Sequence, residues 1–112
     1  MFKFLEMMNN YEERNVKNTE VGKAIIDTSA INDSSKPYET GIQHPEYNKG
    51  DWIIVELYNT KEEAEKGHYK WVQKFSGKKL PASLIDVSTC DIMDVARSYG
   101  YEFKRVFKKG DN

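Results

Sequence analysis

The chain has 112 residues, 17 Lys and Arg against 18 Asp and Glu, and a net charge of −1. A hydrophobic share of 38% and a charged share of 31% fit a folded soluble domain and exclude the disordered class. Balanced charge excludes a global field that would hold the protein on DNA or an anionic membrane, and no apolar run reaches the ~18 residues of a membrane span. The single cysteine, Cys90, excludes an internal disulfide and a multi-cysteine zinc site. The expectation is one intracellular domain covering residues 1–112.

Residues 1–19 read as an N-terminal arm or short helix, with Phe4, Met7, Met8 and Tyr11 at helical spacing. Glu6 interrupts the apolar stretch, so a secretory signal is not expected. Residues 20–77 read as a β-meander followed by a helix. The β-branched run Val21–Thr28 predicts the first strand, and the Ser, Asn and Asp of Ser29–Lys36 predict a loop. Asn32-Asp33-Ser34 matches a glycosylation sequon in letters only. A second strand is predicted over Pro37–His44, with Tyr38, Thr40, Ile42 and His44 on one face and Glu39, Gly41 and Gln43 on the other. After a turn at Pro45–Gly50, Trp52–Tyr58 predicts the third strand of an antiparallel meander.

Strict alternation in that third strand would place Ile53, Val55 and Leu57 on one face. Trp52, Ile54 and Tyr58 would then share the other face with Glu56. Both faces are apolar, although a sheet covered by a helix on one side normally shows water a polar second face. The second face therefore needs a cover: the N-terminal arm, the C-terminal segment or, the favoured reading, another subunit.

Thr60 and Glu63 form the sequence pattern of a capping box, and Glu62 and Glu63 suit the positive end of a helix dipole. Ala64, His68, Trp71, Val72 and Phe75 then make one apolar stripe. Gly67 inside this helix costs about 1 kcal/mol relative to Ala, which signals a close backbone approach. Ser76-Gly77 marks the stop. Residues 78–112 read as a connection with a short apolar piece at Leu80–Val87, a second, shorter helix from Ser88 to Gly100, and a basic strand or tail over Tyr101–Lys109. The expected fold class is α+β: a three- to four-stranded antiparallel sheet with one main amphipathic helix on one face and a shorter second helix.

Chemistry-bearing residues are sparse. His44 and His68 with Glu39 or Glu56 satisfy the count of a two-histidine, one-carboxylate metal site, but no local ligand motif accompanies them. A core histidine bonded to backbone or a carboxylate is the preferred account of His68. Cys90 lies at a helix start without a base tied to it, and Ser83, Ser88 and Ser98 lack a nucleophile-elbow frame. Glu39 and Glu56 fall on neighbouring strands, where a shared cleft would permit acid–base work. The simpler reading pairs Glu39 with an edge lysine and Glu56 with Thr, Tyr or an incoming subunit. No catalytic residue, cofactor or metal is expected.

Charge is distributed unevenly. Residues 1–59 carry 6 basic and 10 acidic side chains, whereas residues 60–112 carry 11 and 8. Arg97, Tyr101 and Arg105 belong to a run in which bases and aromatics interleave, suited to stacking on a nucleotide or to docking on the acidic half of a second subunit. The candidate ligand- or partner-binding residues are thus Glu39, His44, Trp52, Glu56, Tyr58, Arg97, Tyr101 and Arg105.

Tyr38-Glu39-Thr40, the strand Asp51–Glu56 and the run Tyr58-Asn59-Thr60-Lys61-Glu62-Glu63-Ala64 through Gly67-His68 and Trp71 together resemble small uncharacterised proteins of tailed phages. Those carry an E-T pair, a tryptophan-bearing strand and a Y-x-T-x-E-E-A-x-x-G-H-x-x-W pattern. The resemblance covers about residues 20–88 and implies a phage origin without a mechanism. The expected function is non-enzymatic binding as a homo-oligomeric virion or assembly accessory protein, located in the host cytoplasm or the virion. The alternative is a host-takeover or anti-defence protein that captures a host factor or a nucleotide signal. Neither membrane association nor specific DNA binding is expected.

Overall fold

The computed structural model describes residues 15–31, 36–88 and 105–110. The fold is α+β. Four strands, β1 (Asn15–Val21), β2 (Ala24–Ala30), β3 (Tyr38–Gln43) and β4 (Ile53–Tyr58), form an antiparallel sheet in sequence order. Helix α1 (Lys61–Ser76) follows, and β5 (Ser83–Asp86) pairs with β6 (Arg105–Lys108) in a separate two-stranded ribbon.

The meander holds, but its first strand is divided differently from the expectation. Val21 pairs with Ala24 across a two-residue turn, and Gly22 supplies the positive φ of 57° at its first position, as tight hairpins require. The run Val21–Thr28 is therefore the end of one strand, a turn and most of the next. The edge strand β1 occupies part of the segment read as an arm. Its polar sequence, with Lys17 and Glu20, hides it from a hydrophobic-pattern reading and suits an exposed edge. The remainder of the arm and the expected second helix lie outside the described residues.

A second difference has more consequence. Ile42 pairs with Ile53 and Gly41 with Ile54, but Thr40 pairs with Glu56, leaving Val55 as the extra residue of a β-bulge. A bulge puts two successive side chains on one side and shifts the alternation of everything beyond it. Glu56 and Tyr58 consequently join Ile53 and Val55 beneath the helix, while Leu57 shares a face with Glu39. Strict alternation had assigned these three residues the reverse way.

The core lies between this face and α1. Ala24, Ile26, Ile42, Ile53 and Val55 from the sheet meet Phe75 of the helix and Leu84 of the ribbon. Complete burial of each large aliphatic side chain contributes roughly 1.5–3 kcal/mol. Thr60 caps α1 by accepting from the Glu63 backbone N–H at 3.1 Å. The Glu63 carboxylate reaches back to the Asn59 N–H at 3.3 Å, one residue beyond a standard capping box. Gly77 stops the helix with a φ of −74°, so the left-handed glycine stop is not used. The ribbon joins the sheet through the Val87 N–H, which donates to the Ile54 carbonyl at 2.8 Å.

Candidate functional site

Two groups of residues stand out, one on each face of the four-stranded sheet. The face away from α1 forms a trough of about 490 Å³ lined by Glu20, Ile25, Asp27, Glu39, Trp52 and Ile54, with Gly41 in its floor. It follows from alternation: Ile25, Asp27 and Ser29 of β2 oppose the buried row Ala24, Ile26 and Thr28, and Gln43, Gly41 and Glu39 pair with them across β3. A Cβ on Gly41 would stand 3.3 Å from both Ile54 Cδ1 and Trp52 Cε3. Its absence lets these side chains lie close over the sheet. Trp52 stays 43% exposed, set at the rim by the turn Asn48–Gly50, whose residues all take positive φ.

The trough is acidic. Burial, then the charges of Asp27 and Asp86, push the Glu39 carboxyl above the ordinary range. Asp27 accepts from the amides of Asn15 and Asn18. No hydrogen bond or ion pair from another described residue reaches the Glu39 carboxylate.

The other face holds a continuous polar row beneath the helix. Thr19 Oγ1 lies 2.9 Å from His68 Nε2, and His68 Nδ1 lies 2.7 Å from Thr28 Oγ1. Thr28 Oγ1 is 2.6 Å from Thr40 Oγ1, which is 3.0 Å from the Tyr58 hydroxyl. Tyr58 donates to Glu56 Oε1 at 2.9 Å. Glu56 also accepts from the Trp71 indole at 2.9 Å and forms an ion pair with Lys70. Burial raises the Glu56 pKa, but hydrogen bonds from Lys70, Trp71 and Tyr58, with the Lys70 charge, outweigh it and hold the carboxyl below its ordinary range.

An ionised carboxylate only accepts, which fixes the protons of the row from Tyr58 to His68 Nδ1. The single Tyr58 proton goes to Glu56, so Thr40 donates to Tyr58 and Thr28 donates to Thr40. Thr28 then has no proton for His68, whose Nδ1 must carry one. The lowered pKa favours the neutral ring, in which Nε2 accepts from Thr19. Burial first, then the Lys17 charge, lowers its pKa against an opposing contribution from Asp27. Burial, the Glu56 bond and the Glu56 charge likewise push the Tyr58 phenol well above its usual range.

The predicted site residues are therefore divided. Glu39 and Trp52 share the trough, whereas Glu56 and Tyr58 terminate the polar row on the opposite face. The two glutamates do not share a cleft. His44 is buried against Tyr47 and Phe75, and its Nδ1 accepts from the Glu46 N–H at 3.0 Å. Burial, with Lys23 and Lys109 adding and Glu46 opposing, lowers its pKa. His68 is a core histidine, but its partners are threonine hydroxyls where backbone or a carboxylate was expected. Arg105 forms a 3.3 Å ion pair with the buried Asp86 and lies over the Phe107 ring. Arg97 and Tyr101 lie outside the described residues. The two histidines do not converge, and no cluster of three His, Cys, Asp or Glu suits a metal among the described residues.

Sequence reasoning missed Ile25 and Asp27 as trough residues because it had not located the turn at Gly22. It missed Thr28 and Thr40 because threonines at buried strand positions resemble ordinary β-formers. No helix among the described residues is long and apolar enough to cross a membrane. No protein-family model, curated protein or solved structure matches this chain.

Proposed function

We propose that the chain works by binding, as a homo-oligomeric accessory protein of a phage virion or of its assembly in the host cytoplasm. The observation that carries this reading is the trough itself. One sheet face is closed by α1, and the opposite face presents Trp52, Ile25 and Ile54 beside carboxylates. Apolar surface of this kind, rimmed by polar groups, is characteristic of docking sites. Both histidines are committed to protein partners, His68 through both ring nitrogens, which favours binding over acid–base chemistry. The resemblance to small tailed-phage proteins supports the setting. Capture of a nucleotide by the basic C-terminal segment draws no support from Arg105, whose guanidinium is engaged by Asp86.

Native mass spectrometry and light scattering on the full chain test the reading. An assembly of two or more copies, with the protein detected in purified particles or their precursors, is the expected result. A monomer at the highest attainable concentration would refute self-association, and absence from particles and precursors alike would refute the accessory role.

A further inference from the structure

The outer side of the ribbon β5–β6 is a second exposed apolar surface. Leu84 pairs with Phe107 on its inner side, and Leu84 is buried in the core. Ile85 pairs directly with Val106 on its outer side, and these two remain 47% and 46% exposed. Ser83 pairs with Lys108 two positions along and shares that outer side, because side chains alternate along a strand. Lys109 follows on the other side, its N–H continuing the ladder to the Ala82 carbonyl. The outer side of the ribbon thus displays a branched aliphatic pair beside the cation of Lys108.

The trough displays the opposite. Its apolar lining of Ile25, Ile54 and Trp52 is bordered by Glu20 and Glu39, with Asp27 held by Asn15 and Asn18. Resting on the homo-oligomeric reading above, we propose that the occupant of the trough is the β5–β6 ribbon of a second copy of this chain, with Ile85 and Val106 on the apolar lining and Lys108 against Glu20 and Glu39.

In this proposal the contact is reciprocal. The ribbon adjoins β4 through the Val87–Ile54 hydrogen bond, and the Asp86 carboxylate is near enough to Glu39 for its charge to be felt there. A donor surface and an acceptor surface that lie side by side are brought together twice by one two-fold rotation, the commonest symmetry of soluble oligomers. A stable interface needs roughly 800 Å² from each partner, about a tenth of this chain's 8109 Å² surface. Ribbon and trough together supply the apolar centre and charged rim that such contacts use. Oppositely charged rims also set register and suppress wrong pairings.

Charge exchange tests the proposal on the full chain. One variant carries Glu20→Lys and Glu39→Lys, and the other carries Lys108→Glu. Each alone places like charges across both contacts, so each is expected to dissociate at least tenfold more readily than the unaltered protein. An equimolar mixture restores opposite charges at both contacts and is expected to form a one-to-one heterodimer by native mass spectrometry. Recovery in the mixture also shows that both variants are folded. Ile85→Asp tests the apolar centre, with the same loss and no rescue by either charge variant. If the unaltered chain is oligomeric and each charge variant assembles as well as it does, the interface lies elsewhere and the inference fails while the homo-oligomeric reading stands. If the unaltered chain is monomeric, that reading fails with it.

Discussion

Replacing Gly67 by alanine should destabilise the protein, although the same change in an ordinary exposed helix stabilises by about 1 kcal/mol. An alanine Cβ would lie 2.2 Å from the Tyr58 hydroxyl oxygen and 2.3 Å from Cε1 and Cζ. The ring would have to retreat by roughly an ångström to reach ordinary contact. Tyr58 is only 5% exposed, and its hydroxyl holds both Thr40 and Glu56. Overpacking costs about 1–3 kcal/mol, and loosening bonds to a buried hydroxyl and a carboxylate costs about 1–3 kcal/mol more. Subtracting the helix gain leaves a net loss of about 1–5 kcal/mol, a large share of the ~5–15 kcal/mol typical of a small domain. Urea unfolding with an unchanged slope would report this as a lower midpoint. In a Tyr58→Ala background the obstacle is gone, and the added Gly67→Ala should raise the midpoint. A Gly67→Ala single variant as stable as the original chain would refute the argument that glycine is needed for the ring to seat against the helix.

Tyr58→Phe removes the hydroxyl that receives the Thr40 proton and should cost about 1–3 kcal/mol, measured by the same unfolding experiment. Nitrogen NMR should find His68 as the neutral Nδ1–H tautomer in the unaltered protein, and in Tyr58→Phe that preference should weaken because the row has lost its link to Glu56. The folded-state pKa values of His68 and His44 are lowered from 6.5, so the unfolded chain binds more protons just below that pH. Stability should therefore fall as pH drops through the window beneath 6.5, and a urea midpoint that is flat across it would contradict the burial of neutral imidazoles. Glu39 has the opposite sign from an ion-paired carboxylate. Its folded pKa is raised above 4.5, so its contribution is most favourable below that pH and is lost as pH rises through the folded value. Glu39→Gln should accordingly raise the urea midpoint at neutral pH and give no such gain in acid.

Much of the architecture is legible from local pattern. Thr60 and Glu63 announce the start of α1, Gly67 announces a close approach, and the β-branched run around Ile53 announces a strand. Each signal depends on neighbours within a few residues, and the chemistry of caps, turns and backbone space operates at that range. Trp52 and Ile54, which alternation assigns to a second apolar face of the third strand, do line the trough, whereas Tyr58 does not.

What local pattern could not supply was register. The extra residue at Val55 is visible only when β3 and β4 are aligned, and it moves Glu56 and Tyr58 from the outer face to the inner one. The turn at Gly22 is equally a property of pairing, since Val21 and Ala24 must find each other before the run Val21–Thr28 divides. Composition and order along the chain were enough to specify a meander under an amphipathic helix. Only the tertiary structure decided which polar groups were buried together, because the row from Thr19 to Glu56 gathers residues from four strands and the helix. The trough likewise depends on how the sheet is paired, so no window of sequence contains it.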